Sequence, residues 1–240
     1  VRRVFKHELA AAGEAETIQA PKESDPTERA TPLTKMVERA SGAMLNIYIA
    51  RNMAEVSEED DLFGGAPELK LMTLSLGSGV IIDRSGLALS NWHVVDAAVG
   101  PDGSPRKDHV ITARVFGGKS YKVRVLSISR EDDLSLLQLE LAPGETVTAV
   151  ELGCSDDLAL GEAVAAIGNP HGRANTVTYG VVSAVGQGIR VKGRFAKLKH
   201  LIETDAAING GNSGGALLDM RGRLVGINSA GGGTFNPKGY

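Results

Sequence analysis

In the segment "GGNSGGALLDMRGRLVGIN", Gly210 to Asn228, a serine, Ser213, stands between two pairs of glycines with Asn212 beside it. An alcohol is barely ionised at neutral pH. Ser213 can attack a carbonyl only if a base takes its proton, and an acid must orient that base. The glycines have their own use. The run Gly210 to Ser213 can bend so that the N–H groups of Gly211 and Ser213 aim at one point, an oxyanion hole that larger side chains would crowd. All five histidines, His7, His93, His109, His171 and His200, precede Ser213. His93, in "LALSNWHVVDAA" at the expected end of a strand, is the strongest candidate base. His171 in the loop "GNPHG" and His200 in the strand "KLKHLIETD" read by default as structural or surface residues. Asp132 and Asp133, in "SREDDLSLLQLE", stand just before an apolar strand, where a carboxylate can be buried against an imidazole. Spacing does not choose between them.

"GNSGG" also fits G-x-S-x-G, the nucleophile elbow of α/β-hydrolases, which demands a helix after the serine and the chain order Ser, acid, His. Neither holds. The residues after Ser213 read as a hairpin turning at "DMRG", and every histidine comes first. The order His, Asp, Ser survives, which belongs to the chymotrypsin-type double barrel.

The elements around these residues agree with a strand-rich chain. In 240 residues, 42% hydrophobic and only 4% aromatic, the core must come from Val, Leu, Ile and Ala, while 30 glycines announce many turns. A net charge of -3 gives no broad basic field, so no nucleic-acid partner is expected, and no apolar run in this window is long enough to span a bilayer. The single cysteine, Cys154, excludes an internal disulfide and a thiolate zinc cluster, and is expected as a small buried packing residue. No metal or cofactor is expected.

Residues 1–30 are polar and rich in Ala, Glu and Pro, the composition of a flexible tail or linker. "TPLTKMVERASG" then gives Thr31 as N-cap, Pro32 at the first helical position, an apolar stripe of Leu33, Met36, Val37 and Ala40, and Gly42 as a stop. Beyond it the period is two. "AMLNIYIA", "GSGVIID", "GLALSNWHVV", "HVITARVF", "YKVRVLSIS" and "LSLLQLEL" read as one group of strands. "AVAAIG", "VTYGVVSAV", "GIRVKGRF", "HLIETDAA", "GALLDM" and "RLVGINSA" form a second. Between the first two lies an acidic insertion, residues 51–70, expected as a loop. The expected organisation is the helix and a first barrel over 31–145, then a second barrel over 146–240, with a cleft between them.

Taken together, "GSGVIIDRSGLALSNWHVVDAA", "DDLSLLQLE" and "TDAAINGGNSGGALLDMRGRLVGIN", with "AIGNPHG" and "VTYGVVSAV", resemble the HtrA/Deg family of trypsin-like serine proteases over roughly Ser41 to Ala230. The resemblance implies an all-β, chymotrypsin/trypsin-like double β-barrel with a short N-terminal helix. It marks His93, Asp133 and Ser213 as the triad, and Gly211, Asn212 and Ser213 as the oxyanion hole. It makes Ile208 and Asn228, Ser229 and Ala230 the pocket lining, with small aliphatic residues preferred before the cleaved bond. Asp205, the nearest acid, is expected to anchor backbone. The implied activity is endoproteolysis of unfolded or damaged polypeptides through an acyl-enzyme, in a periplasmic or cell-envelope protein, commonly trimeric. A protease-like binding module acting as a chaperone is the alternative. Two positions depart from the family pattern: Trp92 stands beside the histidine, and Ser135 replaces a usual alanine. The family's last barrel strand, a terminal helix and a PDZ domain would lie beyond Tyr240, so the second barrel is expected to be truncated.

Overall fold

The computed structural model describes residues 30–55, 68–100, 104–168, 176–190, 197–209 and 211–229. The tail, the centre of the acidic insertion, His7, His171, Gly210 and Ala230 lie outside them. The chain divides into a short unit, Val1–Lys35, and a unit, Met36–Tyr240, that holds both sheets.

The first helix runs Pro32–Ser41. It starts as the sequence predicts: Thr34 N–H donates to Thr31 Oγ1 at 3.2 Å and Thr31 N–H to Thr34 Oγ1 at 2.8 Å, a reciprocal cap that satisfies two donors. Met36 and Ala40, one turn apart, are its buried face.

Six antiparallel strands follow: β1 (Met44–Glu55), β2 (Glu68–Ile81), β3 (Leu87–Ser90), β4 (His109–Val115), β5 (Ser120–Ser129) and β6 (Leu134–Leu139). They close into a barrel in the order β1-β2-β3-β6-β5-β4. Alternation fills it. Leu45, Ile47 and Ile49 of β1 and Leu137 and Leu139 of β6 have essentially no exposed surface. The β1/β2 ladder runs further than the sequence suggests, since Arg51–Glu55 and 68–70, expected as the ends of a loop, continue the pairing out to Glu55 opposite Glu68. Beyond a register shift at Ile49/Ala50 the antiparallel pairing resumes and outweighs the acidic composition there.

The second group is β7 (Glu151–Leu152), β8 (Ala163–Gly168), β9 (Thr176–Arg190), β10 (Lys197–Thr204), β11 (Ala216–Asp219) and β12 (Arg223–Ile227). It forms a six-stranded sheet, β10-β9-β8-β11-β12-β7, whose ends are not joined among the described residues. Its central strands β8 and β11 are buried almost throughout, and Val164, Ala166, Val182, Leu217 and Val225 belong to its core. "GIR", read as the start of a separate strand, is the end of the long β9.

Two local expectations are corrected. The strand expected through "GLALSNWHVV" stops at Ser90, and Trp92–Val95 is a helical turn. Anchoring of that turn on the Asp133 segment outweighs the β propensity of Trp and Val. Cys154 is exposed rather than packed, because it lies in the loop between β7 and β8 and not on an inward-facing strand position.

Candidate active site

Asp133 sits in the turn between β5 and β6 with φ 57°, one of two non-glycine residues in the left-handed region among those described. That conformation costs most side chains energy, but aspartate tolerates it. It also turns two adjacent acids opposite ways. Asp132 stays exposed and accepts a 2.7 Å bond from Ser129 Oγ, while Asp133 points inward with 0% exposure. The choice that spacing left open is thus made by backbone geometry.

The Asp133 main chain holds the segment before His93. Its carbonyl accepts from Trp92 N–H at 3.1 Å and from Asn91 Nδ2 at 2.9 Å. Its carboxylate then takes His93 twice: the His93 N–H donates to Oδ1 at 3.1 Å, and the ring Nδ1 lies 2.8 Å from Oδ2. A carboxylate can only accept, so Nδ1 carries a proton, and in the neutral ring the lone pair is then on Nε2. This is the tautomer a general base requires.

Ser229 adds to the carboxylate's donors, its hydroxyl donating to Asp133 Oδ2 at 3.0 Å. Its expected role was pocket lining. Asn228, also expected there, turns its amide to the carbonyls of Ala216 (3.0 Å) and Ile167 (3.3 Å) and is 4% exposed, so the side chain ties β11 to β8. Ile208 is partly buried against the core of the second sheet. Asp205 Oδ1 accepts from Val181 N–H at 2.7 Å, the backbone-anchoring role expected of it.

The loop that carries Ser213 is built from backbone bonds. Asn212 N–H donates to the Asn209 carbonyl at 2.8 Å, Gly215 N–H to the Asn212 carbonyl at 2.9 Å, and Gly214 N–H to the Asn228 carbonyl at 2.8 Å. Asn212 and Ser213 are 1% and 2% exposed. Glycine is needed at 214 because φ is +84° and a Cβ there would collide with the Ser78 carbonyl. Gly168 yields room on the other side, where a Cβ would stand 2.6 Å from Asn212 Cα.

Sequence reasoning missed the supports. Ser78 on β2 donates through Oγ to the Gly211 carbonyl and through N–H to the Ser213 carbonyl; Ser90 Oγ donates to the Ser78 carbonyl at 2.7 Å. Ser135, noticed only as a departure, is buried and donates to the Asn91 carbonyl at 3.1 Å. Trp92, the other departure, has the Arg130 guanidinium 5.6 Å from its ring centroid. A readable signal existed for Ser78: the Gly-Ser-Gly within a strand marks close approach, since a Cβ at Gly77 would lie 2.6 Å from Val94 and one at Gly79 2.9 Å from Ile47.

The other described histidines go elsewhere. His109 pairs with Asp108 (Nδ1 to Oδ1, 2.8 Å), and Asp108 also binds Arg51 Nε at 2.9 Å, which ties the start of β4 to β1. His200 is exposed at an irregularity of β10, with φ 55°. Among the described residues no group of three or more His, Cys, Asp or Glu comes together to hold a metal, and no helix is long and apolar enough to cross a membrane.

Comparison with known proteins gives the family of the chain. The family model described as "Trypsin-like peptidase domain" matches residues 77–227. A protein of Haemophilus influenzae described as "Probable periplasmic serine protease do/HhoA-like" is 40% identical over 169 residues, 70% of this chain and 33% of its own length. The chain therefore spans about a third of such curated relatives. The crystal structure of Deg5 superposes with a TM-score of 0.66 at 28% identity, covering 87% of this chain and 88% of that one. The structure of the HtrA-type protease AlgW with a decapeptide gives 0.66 at 34% identity, covering 84% and 59%. From Ser78 and the buried Asp133–His93 pair to the glycine-bounded Ser213, the chain belongs to the trypsin-like peptidase family, with HtrA-type and Deg proteases as its relatives.

Proposed function

We propose that this chain carries the catalytic domain of a serine endopeptidase in which His93, Asp133 and Ser213 act as the triad. The observation that supports it most is the grip of the buried Asp133 carboxylate on His93 Nδ1 at 2.8 Å, which leaves Nε2 as a base. Ser213 Oγ attacks the peptide carbonyl as His93 takes its proton. The N–H groups of Gly211 and Ser213, flanking Asn212, receive the developing oxyanion, an effect worth about 3 kcal/mol per donor. His93 then protonates the leaving amine, and water releases the acyl-enzyme. Ile208 borders the pocket for small aliphatic residues, while the side chains of Asn228 and Ser229 are bound to the Ala216 and Ile167 carbonyls and to Asp133.

Likeness to the HtrA-type and Deg proteases extends the proposal to unfolded or damaged polypeptides as substrates, a periplasmic or cell-envelope setting, and a trimeric assembly. A fluorophosphonate probe tests the core of it, because the probe reports an activated serine without needing the right substrate. The chain should be labelled, and its Ser213→Ala variant should not. Absence of labelling, with suppression of aggregation of an unfolded client retained, would instead favour a chaperone-like binding module.

A further inference from the structure

We propose that Ser78 is a positioning residue for the nucleophile loop, a proposal that rests on the protease reading above. Ser78 lies on β2 of the first barrel, 1% exposed, and reaches the second group of strands with two donors. Its Oγ donates to the Gly211 carbonyl at 2.8 Å, and its N–H donates to the Ser213 carbonyl at 2.9 Å. These two acceptors bracket Asn212.

A planar trans peptide points its C=O and the following N–H to opposite sides. The Asn212 carbonyl is already held by Gly215 N–H at 2.9 Å, which fixes the direction of the Ser213 N–H. The peptide before it, Gly211–Asn212, is held on its N–H side by the Asn209 carbonyl at 2.8 Å, and Gly211, as a glycine, has no Cβ to resist rotation about its own bonds. The Ser78 hydroxyl is the external restraint, and it limits the conformations open to the residue that offers the other oxyanion donor.

Ser78 is in turn fixed by Ser90 Oγ on its carbonyl at 2.7 Å, and Ser90 stands three residues before His93. One strand serine thereby sets the serine loop in register with the histidine segment.

The test is Ser78→Ala, which keeps the N–H bond and removes only the hydroxyl. With a chromogenic peptide substrate, kcat should fall about tenfold or more while KM stays within about twofold. The affinity of a peptide boronate, which mimics the tetrahedral intermediate, should fall in parallel. Ser78→Thr, which retains the hydroxyl, should recover most of the loss, and Ser78→Cys, with a weak donor, should fall between. Melting temperature and fluorophosphonate titration of active sites correct each value for the folded, competent fraction. A Ser78→Ala enzyme with kcat and boronate affinity unchanged per titrated site overturns the proposal, whatever its melting temperature. Should that variant fail to fold, unchanged kcat in Ser78→Cys overturns it equally. Unmodified protein that neither labels nor cleaves defeats the protease reading first, and this inference with it.

Discussion

The Ser229 hydroxyl donates to the Asp133 carboxylate at 3.0 Å across 96 residues of sequence, joining the end of the second sheet to the acid of the first barrel. Together with the two bonds to His93 it leaves the carboxylate buried but well supplied with donors. Ser229→Ala should therefore lower kcat about five- to tenfold, since hydrogen bonds to charged groups are worth roughly 1.5 to 3 kcal/mol and the contacts with His93 remain. Steady-state kinetics on the purified variant checks this. No change in kcat would show that the bond is dispensable.

Asp133→Asn should be far more damaging. Its amide can donate to Nδ1 and so favours the wrong imidazole tautomer, for which a loss of about 10⁴ in kcat is expected with the fold preserved. Fluorophosphonate labelling rates alongside circular dichroism distinguish this from unfolding.

Gly214→Ala should abolish labelling. The added Cβ meets the Ser78 carbonyl and Ser90 Oγ at a residue with φ +84°, so the loop must move to accommodate it. A labelled variant with near-normal kinetics would mean that the loop has slack the contacts do not suggest.

At the far side of the barrel, Glu145 receives Lys119 Nζ at 2.8 Å, the Ala142 N–H at 3.1 Å and the Tyr121 hydroxyl at 2.9 Å. The Lys119 ammonium first, then the backbone and phenol donors, hold its carboxyl at about 2 against an ordinary 4.5. A depressed value means stabilisation that is complete above pH 4.5 and lost as the pH falls through about 2. Glu145→Gln should thus lower the melting temperature at pH 7, with the gap to the unmodified chain closing towards pH 2. A gap that widened on acidification would contradict this assignment.

Asp219 anchors the β11/β12 hairpin just beyond the serine loop. Burial would raise its carboxyl, but the Arg223 N–H and guanidinium, with the Arg221 N–H, outweigh that and hold it below the ordinary value. Asp219→Ala should cost about 3 kcal/mol or more, because it leaves these donors without their acceptor. Thermal or urea unfolding measures it, and a loss under 1 kcal/mol would show that water replaces the carboxylate easily.

Much of this was legible beforehand. The cap at Thr31, most of the strands and the glycines around Ser213 are local: propensity, alternation and left-handed turns act between near neighbours, so composition and spacing express them. The limits of local signal show at Ser90, where apolar β-formers continue past the strand into a helical turn because Asp133, far along the chain, holds that turn's first N–H groups.

What the sequence alone determined is the chemistry on offer: a serine among glycines, histidines placed before it, paired acids ahead of an apolar strand, and no thiol pair. Tertiary structure alone decided which groups meet. Asp133 rather than Asp132 turns inward because its backbone adopts φ 57°. Ser229 and Ser78 become partners of the acid and of the serine loop because barrel closure and sheet packing bring residues 96 and 133 positions apart within 3.0 Å. Such bonds depend on three-dimensional position rather than spacing, and no pattern of neighbours along the chain records them.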